Sequence, residues 1–462
     1  MSASPVHWLL QRQTVRKLAR RLIERMQPLA RELLAAPQSA PPAGGQPDPT
    51  VIPEITALTP RASERPDDAA RLTLLIPGLS ERHVFGGIAT ALQFFDHLRS
   101  AVGEVRIVVL DEMHIEPRRD AYYSDWPVYA LADLHDRDPA GAHVAVAGNR
   151  ATWTLPVRDG DLFVATSWWS AHLAHRLLDW QQHAFPARAR RLAYLIQDFE
   201  PGFYAWSSRY ALAAATYGSG ERTLAVVNSG FLADFLTAQG HRFARTWVFE
   251  PRLNPALAAR RGALGRVRKK RSLLVYGRPG TERNAFAVLV AGLRQWAARE
   301  PASTRWRVVS AGEEHADIDL GGGLRLESLG KLPLDSYAQL LAESAVGVSL
   351  MISPHPSYPP LEMAAFGCRV VSNRFATKDL SRLSPAIVAV DPVNADALAD
   401  AILRQCAAWD AQAGAAGEAE IDLNGVSLGS PFLDGGDPFG FAGSLCSQWL
   451  ADCGLAPAAA GL

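Results

Sequence analysis

Short apolar runs alternate with segments of helical periodicity from residue 71 to residue 410. LTLLIPGL (72–79), VRIVVL (105–110), HVAVAG (143–148), DLFVATSWW (161–169), RLAYLIQD (191–198) and LAVVNS (224–229) read as buried strands. Helical patterns over 87–102, 170–183 and 230–239 lie between them. The basic run ARRGALGRVRKKR (259–271) interrupts this order and reads as a solvated linker between domains. A second alternation follows, with strands over 272–279, 304–312, 324–330, 346–353, 369–373 and 387–392. Its helices cover 284–300, 334–345, 360–367 and 395–409. Strands separated by helix-length segments imply right-handed crossovers and parallel sheets. The pattern therefore predicts an α/β chain of two Rossmann-like, doubly wound domains facing a cleft at the strand carboxyl ends.

The flanks differ. Val15, Leu18, Leu22, Met26, Leu29 and Leu33 recur at three- and four-residue steps, predicting one amphipathic helix over 6–35. Seven cations between Arg12 and Arg31 face a single acid, Glu24, which suits an anionic membrane surface. Docking on its own domain, or pairing with another chain, would use the same stripe. Eight prolines between residues 37 and 70 predict an extended linker. The expected domains are thus 1–36, 37–70, 71–265, 266–410 and a tail at 411–462 with no clear period.

Composition narrows the function classes. The 462 residues carry 47 Lys+Arg against 47 Asp+Glu, so no global positive field marks a nucleic-acid binder. Four cysteines form no disulfide framework or paired zinc spacing, as expected of a reducing compartment such as the cytoplasm. No apolar run approaches the ~18 residues of a spanning helix. The sequence shows no signal-peptide pattern at its start. Histidines 83, 114, 172, 175, 315 and 355 make no spaced cluster, and Asp136-Arg137-Asp138 and Asp317-Ile318-Asp319 lack the context of a metal motif. No metal or cofactor is expected.

The chemistry concentrates at strand ends. Gly86 and Gly87 open a helix just after the first strand, where bare backbone and a helix N-terminus favour an anionic ligand. Arg278, Arg283 and Lys331 follow strands of the second half and can grip phosphate oxygens. In SLMISPHPSYPPLEMAAFGCRVV (349–371), a strand ends in a proline-rich turn and a helix begins near Pro359 and Pro360. That places Tyr358 beside the turn and Glu362 in the first helical turn, where its carboxylate can accept from a ribose diol. In QDFEPGFYAW, Asp198 and Glu200 pass a strand end and face the cleft from the acceptor side. Phe203, Tyr204 and Trp206 supply faces on which a sugar can stack.

This layout resembles the retaining GT-B glycosyltransferases of family 4, with their glycine-rich first loop, Gly-Arg-x4-Lys pair and Glu-x7-Glu motif. LIQDFEPGFYAWSSRYALAAATY (195–217), VYGRP…RN (275–284) and SPHPSYPPLEMAAFG (353–367) are more closely similar to the WsaF-type rhamnosyltransferases. The resemblance spans roughly residues 72–410. It implies a GT-B fold, a nucleotide-sugar donor with dTDP-L-rhamnose favoured, and a surface-glycan or lipid-linked glycan acceptor. It also implies transfer with retention; the basic amphipathic segment 1–35, outside the resemblance, adds the expectation of a peripheral place on the inner face of the cytoplasmic membrane. Two departures stand out. Arg283 replaces the broader family's lysine, and Pro354 replaces the first glutamate, which there contacts the donor sugar. A GT-B sugar-nucleotide epimerase and a non-catalytic, membrane-tethered binding module are the rival readings.

Overall fold

A computed structural model describes residues 50–65, 69–80, 86–115 and 123–456. The amphipathic helix expected over 1–36 lies outside the described residues, as does the first part of the proline-rich stretch. The chain divides into Met1–Pro53 and Glu54–Leu462, and the second unit carries both sheets.

Among the described residues, the first sheet has eight strands, all parallel. In spatial order they are Arg245–Phe249, Thr223–Asn228, Leu192–Ile196, Asp161–Ala165, Arg71–Ile76, Glu104–Val109, His143–Val146 and Val128–Ala130. Successive residues of a strand enter opposite apolar layers: Leu72, Leu74 and Ile76 one, Leu75 the other. Burial on both faces is why these strands read as continuous apolar runs rather than alternating ones. Helices Gly87–Arg99 and Ala442–Asp452 cover one face, and Trp168–Ala184 and Gly230–Ala238 the other.

The second sheet runs Ile318–Gly321, Leu324–Ser328, Arg307–Gly312, Arg266–Gly277, Ser344–Val348, Arg369–Asn373 and Ile387–Val390. Of these seven the first is antiparallel and the others parallel, and an eighth strand, Glu418–Asp422, pairs antiparallel with Arg266–Gly277. Helices Phe286–Arg299 and Ala395–Ala413 bury Leu289, Leu293, Trp296, Leu398 and Trp409 against one face. Helices Leu334–Glu343 and Tyr358–Ala365 cover the other.

Three boundaries differ from expectation. The second part of the proline-rich stretch is no linker, because Pro60–Ala62 pairs in parallel with Leu155–Val157 and Leu58 is buried. Thr56 accepts from Arg150 Nε at 2.9 Å, and Glu54 pairs with Arg209 at 2.7 Å. The basic run 259–271 is no solvated linker either. It ends the Pro255–Leu264 helix and begins the Arg266–Gly277 strand, which Glu418–Asp422 pairs antiparallel. Lys269 is buried, its ammonium donating to Leu341 O at 2.9 Å and Ser344 O at 2.7 Å. Those carbonyls end a helix, the place a cation suits. The tail also has structure. Its Ala442–Asp452 helix returns to the first half, where Trp449 is buried and donates to Arg191 O at 3.2 Å.

At the amino edge of the first sheet, Arg71 pairs with Asp138 at 2.5 Å and Asp161 at 2.7 Å, and Arg106 and Arg158 join them. Buried guanidiniums and carboxylates satisfying one another there hold strand starts together. This is the end opposite the strand carboxyl termini.

Candidate functional site

In the middle of each sheet the strand order reverses: between Arg71–Ile76 and Asp161–Ala165 in the first, and between Arg266–Gly277 and Ser344–Val348 in the second. Crevices open at the carboxyl ends of strands at such points. Gly86 (φ 53°) caps the helix after the first of these strands, and Gly87 accepts from Gln197 Nε2 at 2.9 Å. A side chain at Gly87 would press on the Gln197 amide at 3.1 Å. The glycine pair therefore sits beside the Gln197–Glu200 turn.

In the second half the strand ends are laced by backbone bonds. Glu313 donates to Gly277 O at 2.8 Å, and Gly312 to Gly330 O at 2.9 Å. Arg278 and Lys331 thus leave on either side of Gly312, where a Cβ would meet Gly277 O at 2.6 Å. Arg278 is half-buried and hydrogen-bonds the Tyr276 hydroxyl, with Glu362 and Glu313 in the same electrostatic neighbourhood. Lys331 is exposed.

The helix after the proline-rich turn starts at Tyr358, so Glu362 falls in its second turn rather than the first as expected. Its Oε2 accepts from the Tyr337 hydroxyl at 2.8 Å. Burial pushes the carboxyl up to about 7, against the pull of that phenol. Ser357, at φ 67°, holds the turn before this helix in a conformation disfavoured for a side chain. Asn284 Nδ2 donates to Leu350 O at 3.0 Å, Ile352 to Arg283 O at 2.7 Å and Met351 to Asn373 Oδ1 at 2.7 Å. The turn over 349–357 is pinned from both sides.

The two halves meet at Asp198. Its Oδ1 accepts from Ser353 Oγ and, at 2.8 Å, from Phe199 N, while Oδ2 lies 3.9 Å from Arg283 Nε. Arg283 stacks its guanidinium over the Phe203 ring at 4.2 Å. It was expected on phosphate; instead the structure brings it to a carboxylate and an aromatic face of the other half. Beside it, His355 Nδ1 accepts from Ser357 N at 3.0 Å, and Nε2 lies 3.1 Å from Asn228 Nδ2. Burial lowers this imidazole to about 4, so it is neutral. Tyr358 hydrogen-bonds the same Asn228. Lys378 is buried below, donating to Met351 O at 2.5 Å. Burial lowers its ammonium to about 7, and the charge of Asp198 opposes that shift.

Glu200 does not open on the cleft as expected. It is buried, with Oε2 accepting from Trp168 N at the start of the Trp168–Ala184 helix. Tyr204 is tied to the same place, its hydroxyl accepting from Trp168 Nε1 at 2.9 Å. Trp206 is 93% exposed and reaches only Tyr210 among rings. Of the three aromatics, Phe203 alone touches a charged residue of the site.

Burial raises Glu200 to about 8, with Asp198 adding and the Trp168 N–H opposing. A carboxyl held above its ordinary value binds its proton more tightly when folded, so its contribution is full below about 4.5 and lost as pH rises through 8. Glu200→Gln is therefore expected to match wild type in thermal melts near pH 4.5 and to exceed it near pH 9. The gain at pH 9 is a few kcal/mol for a shift of this size. Equal melting at both pH values would contradict the protonated, buried carboxyl.

The family description "WsaF, N-terminal domain" matches residues 71–230, and "WsaF, C-terminal domain" matches residues 271–403. The chain belongs to the WsaF family of glycosyltransferases. The O-antigen biosynthesis protein RfbC of Myxococcus xanthus is 33% identical over 299 residues, which is 63% of this chain. The match spans 21% of that relative's length. Among solved structures, sucrose-phosphate synthase from Thermosynechococcus elongatus aligns with TM-score 0.50 at 15% identity, covering 82% of this chain and 99% of that one. Identity so low speaks for the fold alone, and that fold is GT-B.

In this WsaF-family chain, no group of three or more His, Cys, Asp or Glu side chains converges as metal ligands would among the described residues. Asp138 of the first short acidic motif is spent in the Arg71 network. Asp317 and Asp319 of the second accept backbone bonds from Ser328 at 3.0 Å and Gly321 at 2.9 Å. Sequence reasoning missed Asn228, Tyr276, Tyr337, Ser353, His355 and Lys378 as parts of the site. Asn228 carried a signal, a polar residue closing an apolar strand. Lys378, inside RFATKD, looked like any surface loop.

Proposed function

We propose that the chain transfers a 6-deoxyhexose from a nucleoside-diphosphate donor, dTDP-L-rhamnose favoured, to a bacterial surface glycan, with retention at the anomeric carbon. The observation carrying this reading is the exit of Arg278 and Lys331 on either side of Gly312, with Tyr276 in the electrostatic reach of both Arg278 and Glu362. Two cations so placed stabilise the charge that develops on a departing diphosphate. In this reading the bond from the anomeric carbon to the phosphate oxygen breaks as the acceptor oxygen attaches on the same face. The acceptor proton passes to the leaving phosphate oxygen, so no dedicated base is needed.

Gly86 and Gly87 give the donor room against bare backbone. Glu362 receives a hydroxyl of the nucleoside sugar, and Tyr358 lines the turn beside it. Asp198 holds Arg283 and faces the positive charge that builds on the transferred sugar. Glu200 supports the turn from beneath rather than touching substrate. Phe203 is the acceptor-side platform, with Tyr204 behind it and Trp206 open to a longer glycan. That the Myxococcus xanthus relative is an O-antigen biosynthesis protein favours a surface-glycan acceptor.

Incubation with a panel of dTDP-, UDP- and GDP-sugars and glycan acceptors tests this. Transfer from dTDP-L-rhamnose, with the donor's anomeric configuration kept in the product by NMR, is expected. Conversion of donor without acceptor would instead identify an epimerase, and no turnover with any donor a binding module.

The cationic stripe of residues 1–35 is part of the proposal, as a contact with anionic membranes carrying lipid-linked acceptors. Because residues 54–65 pack on the first half, the informative truncation removes residues 1–53 and not the whole stretch to 70. It should abolish co-sedimentation with anionic vesicles and keep turnover on a soluble acceptor. Wild-type binding should weaken as salt rises. Undiminished co-sedimentation of the truncated chain would reject the contact.

A further inference from the structure

At the carboxyl ends of the Arg369–Asn373 and Ile387–Val390 strands lies a cavity of about 710 Å³, lined by none of the donor-side residues. Pockets that take small ligands run to about 300–1,000 Å³. The strands that lead to Arg278 and Lys331 lie on the other side of Ser344–Val348, so the 349–357 turn separates the cavity from those cations. Ile352 of that turn forms one wall, next to Ser353, which bonds Asp198 of the first half. The 374–379 loop forms another wall and also reaches the first half. Its Thr377 Oγ1 donates to Phe231 O at 2.7 Å, and the Phe375 ring lies 6.4 Å from that of Phe235. The cavity therefore adjoins the line along which the halves meet.

Two of its four charged side chains satisfy one another, Arg374 Nε donating to Asp379 Oδ2 at 2.9 Å. Arg382 and Asp391 are exposed, and neither side chain has an ion-pair or hydrogen-bond partner among the described residues, the other one included. Two guanidiniums alone would suit a phosphate, but two carboxylates line the same space and oppose it. An apolar ligand would desolvate charges and return nothing to them. A sugar suits both signs, because each hydroxyl can donate to a carboxylate and accept from a guanidinium. The C–H faces of its ring can pack on Phe375, Ile352 and Val393. We propose that this cavity is a second glycan subsite, holding sugar units of the acceptor chain beyond the one that is glycosylated, with Asp391 accepting from their hydroxyls and Arg382 donating to them. This rests on the reading of the acceptor as a surface glycan, and adds where the rest of that glycan lies.

The probe is the surface polysaccharide of the producing bacterium, cut by mild acid into fragments of graded length. Calorimetry on the full chain should show affinity rising with fragment length. Arg382→Ala and Asp391→Ala should each weaken the longer fragments about tenfold, the size of one hydrogen bond to a charged group. Both side chains are exposed and unpartnered, so thermal melting and dTDP affinity should match wild type and serve as controls. Equal affinity for short and long fragments overturns the inference, as does wild-type affinity for long fragments in both variants. No fragment binding by wild type overturns it too. Inorganic phosphate bound in place of the fragments, and lost in Arg382→Ala, would make the cavity an anion site and overturn it as well. The proposed function is judged separately, by dTDP affinity and by transfer from dTDP-L-rhamnose. A chain that transfers without any dependence on fragment length keeps the function and loses the subsite. One that binds long fragments but no nucleotide keeps the subsite and loses the function.

Discussion

Replacing Arg278 by alanine is expected to lower turnover by roughly 10²–10³, the typical effect of removing one preorganised donor to a developing anion. Lys331→Ala should behave alike. Both should weaken binding of dTDP, because the diphosphate is charged before the bond breaks and the cations meet it in either state. The fold should survive. Arg278 is half-buried at a strand end and bonded to one phenol, and Lys331 is exposed, so neither removal opens a core cavity. Kinetics, calorimetry with dTDP and a thermal melt on the same preparations decide the matter. Wild-type affinity for dTDP in both variants would refute the diphosphate clamp.

The second large effect is expected at Asp198. Alanine there leaves Ser353 Oγ and Phe199 N–H without their acceptor and Arg283 without its ion-pair partner, and removes the countercharge of buried Lys378. Breaking a buried charge pair from one side costs about 3–5 kcal/mol. The Asp198→Ala chain should unfold at clearly lower denaturant and lose most turnover. Asp198→Asn separates the two roles, because an amide still accepts from Ser353 but no longer attracts Arg283. It should regain much of the stability and little of the activity. An asparagine variant with wild-type turnover would show that the carboxylate serves folding alone.

The sequence disclosed most of the two sheets for a physical reason. Strands covered on both faces must be apolar along their length, and helices covering them must carry one apolar stripe. Hence Glu104–Val109 and Arg369–Asn373 lie within a residue of where the pattern placed them, while Arg71–Ile76 starts one residue earlier and ends three short. What escaped was structure supported by pairing rather than by apolar content. Pro60–Ala62 has three residues and the Ile318–Gly321 edge strand alternates with solvent. Lys269 escaped because a cation caught by helix-end carbonyls looks, in sequence, like its solvated neighbours.

The site divides likewise. The positions of Arg278 and Lys331 past strand ends and of the glycine pair at a helix start were legible, because a charge or glycine there stands out against apolar runs. The partners of Asp198 were not. Ser353, His355 and Lys378 lie far from it in sequence and gain meaning only where the halves meet. Glu200 shows the converse error, since proximity to Asp198 along the chain suggested a shared role and folding turned it inward.

The chain passes between the two halves twice, at 250–254 and again at 432–439. Leu253 and Phe432 belong to the second half's core, Phe249 and Phe439 to the first's. The passages run side by side, joined where Leu253 N donates to Phe432 O at 2.8 Å and Arg252 to Pro431 O. A single strand of chain would let the halves swivel freely. Two joined strands act as a strap hinge, which bends about one line and resists torsion. Arg278 and Lys331 of one half and Asp198 of the other are thereby kept in azimuthal register, and a cut in either strap should loosen that alignment without touching any of these residues.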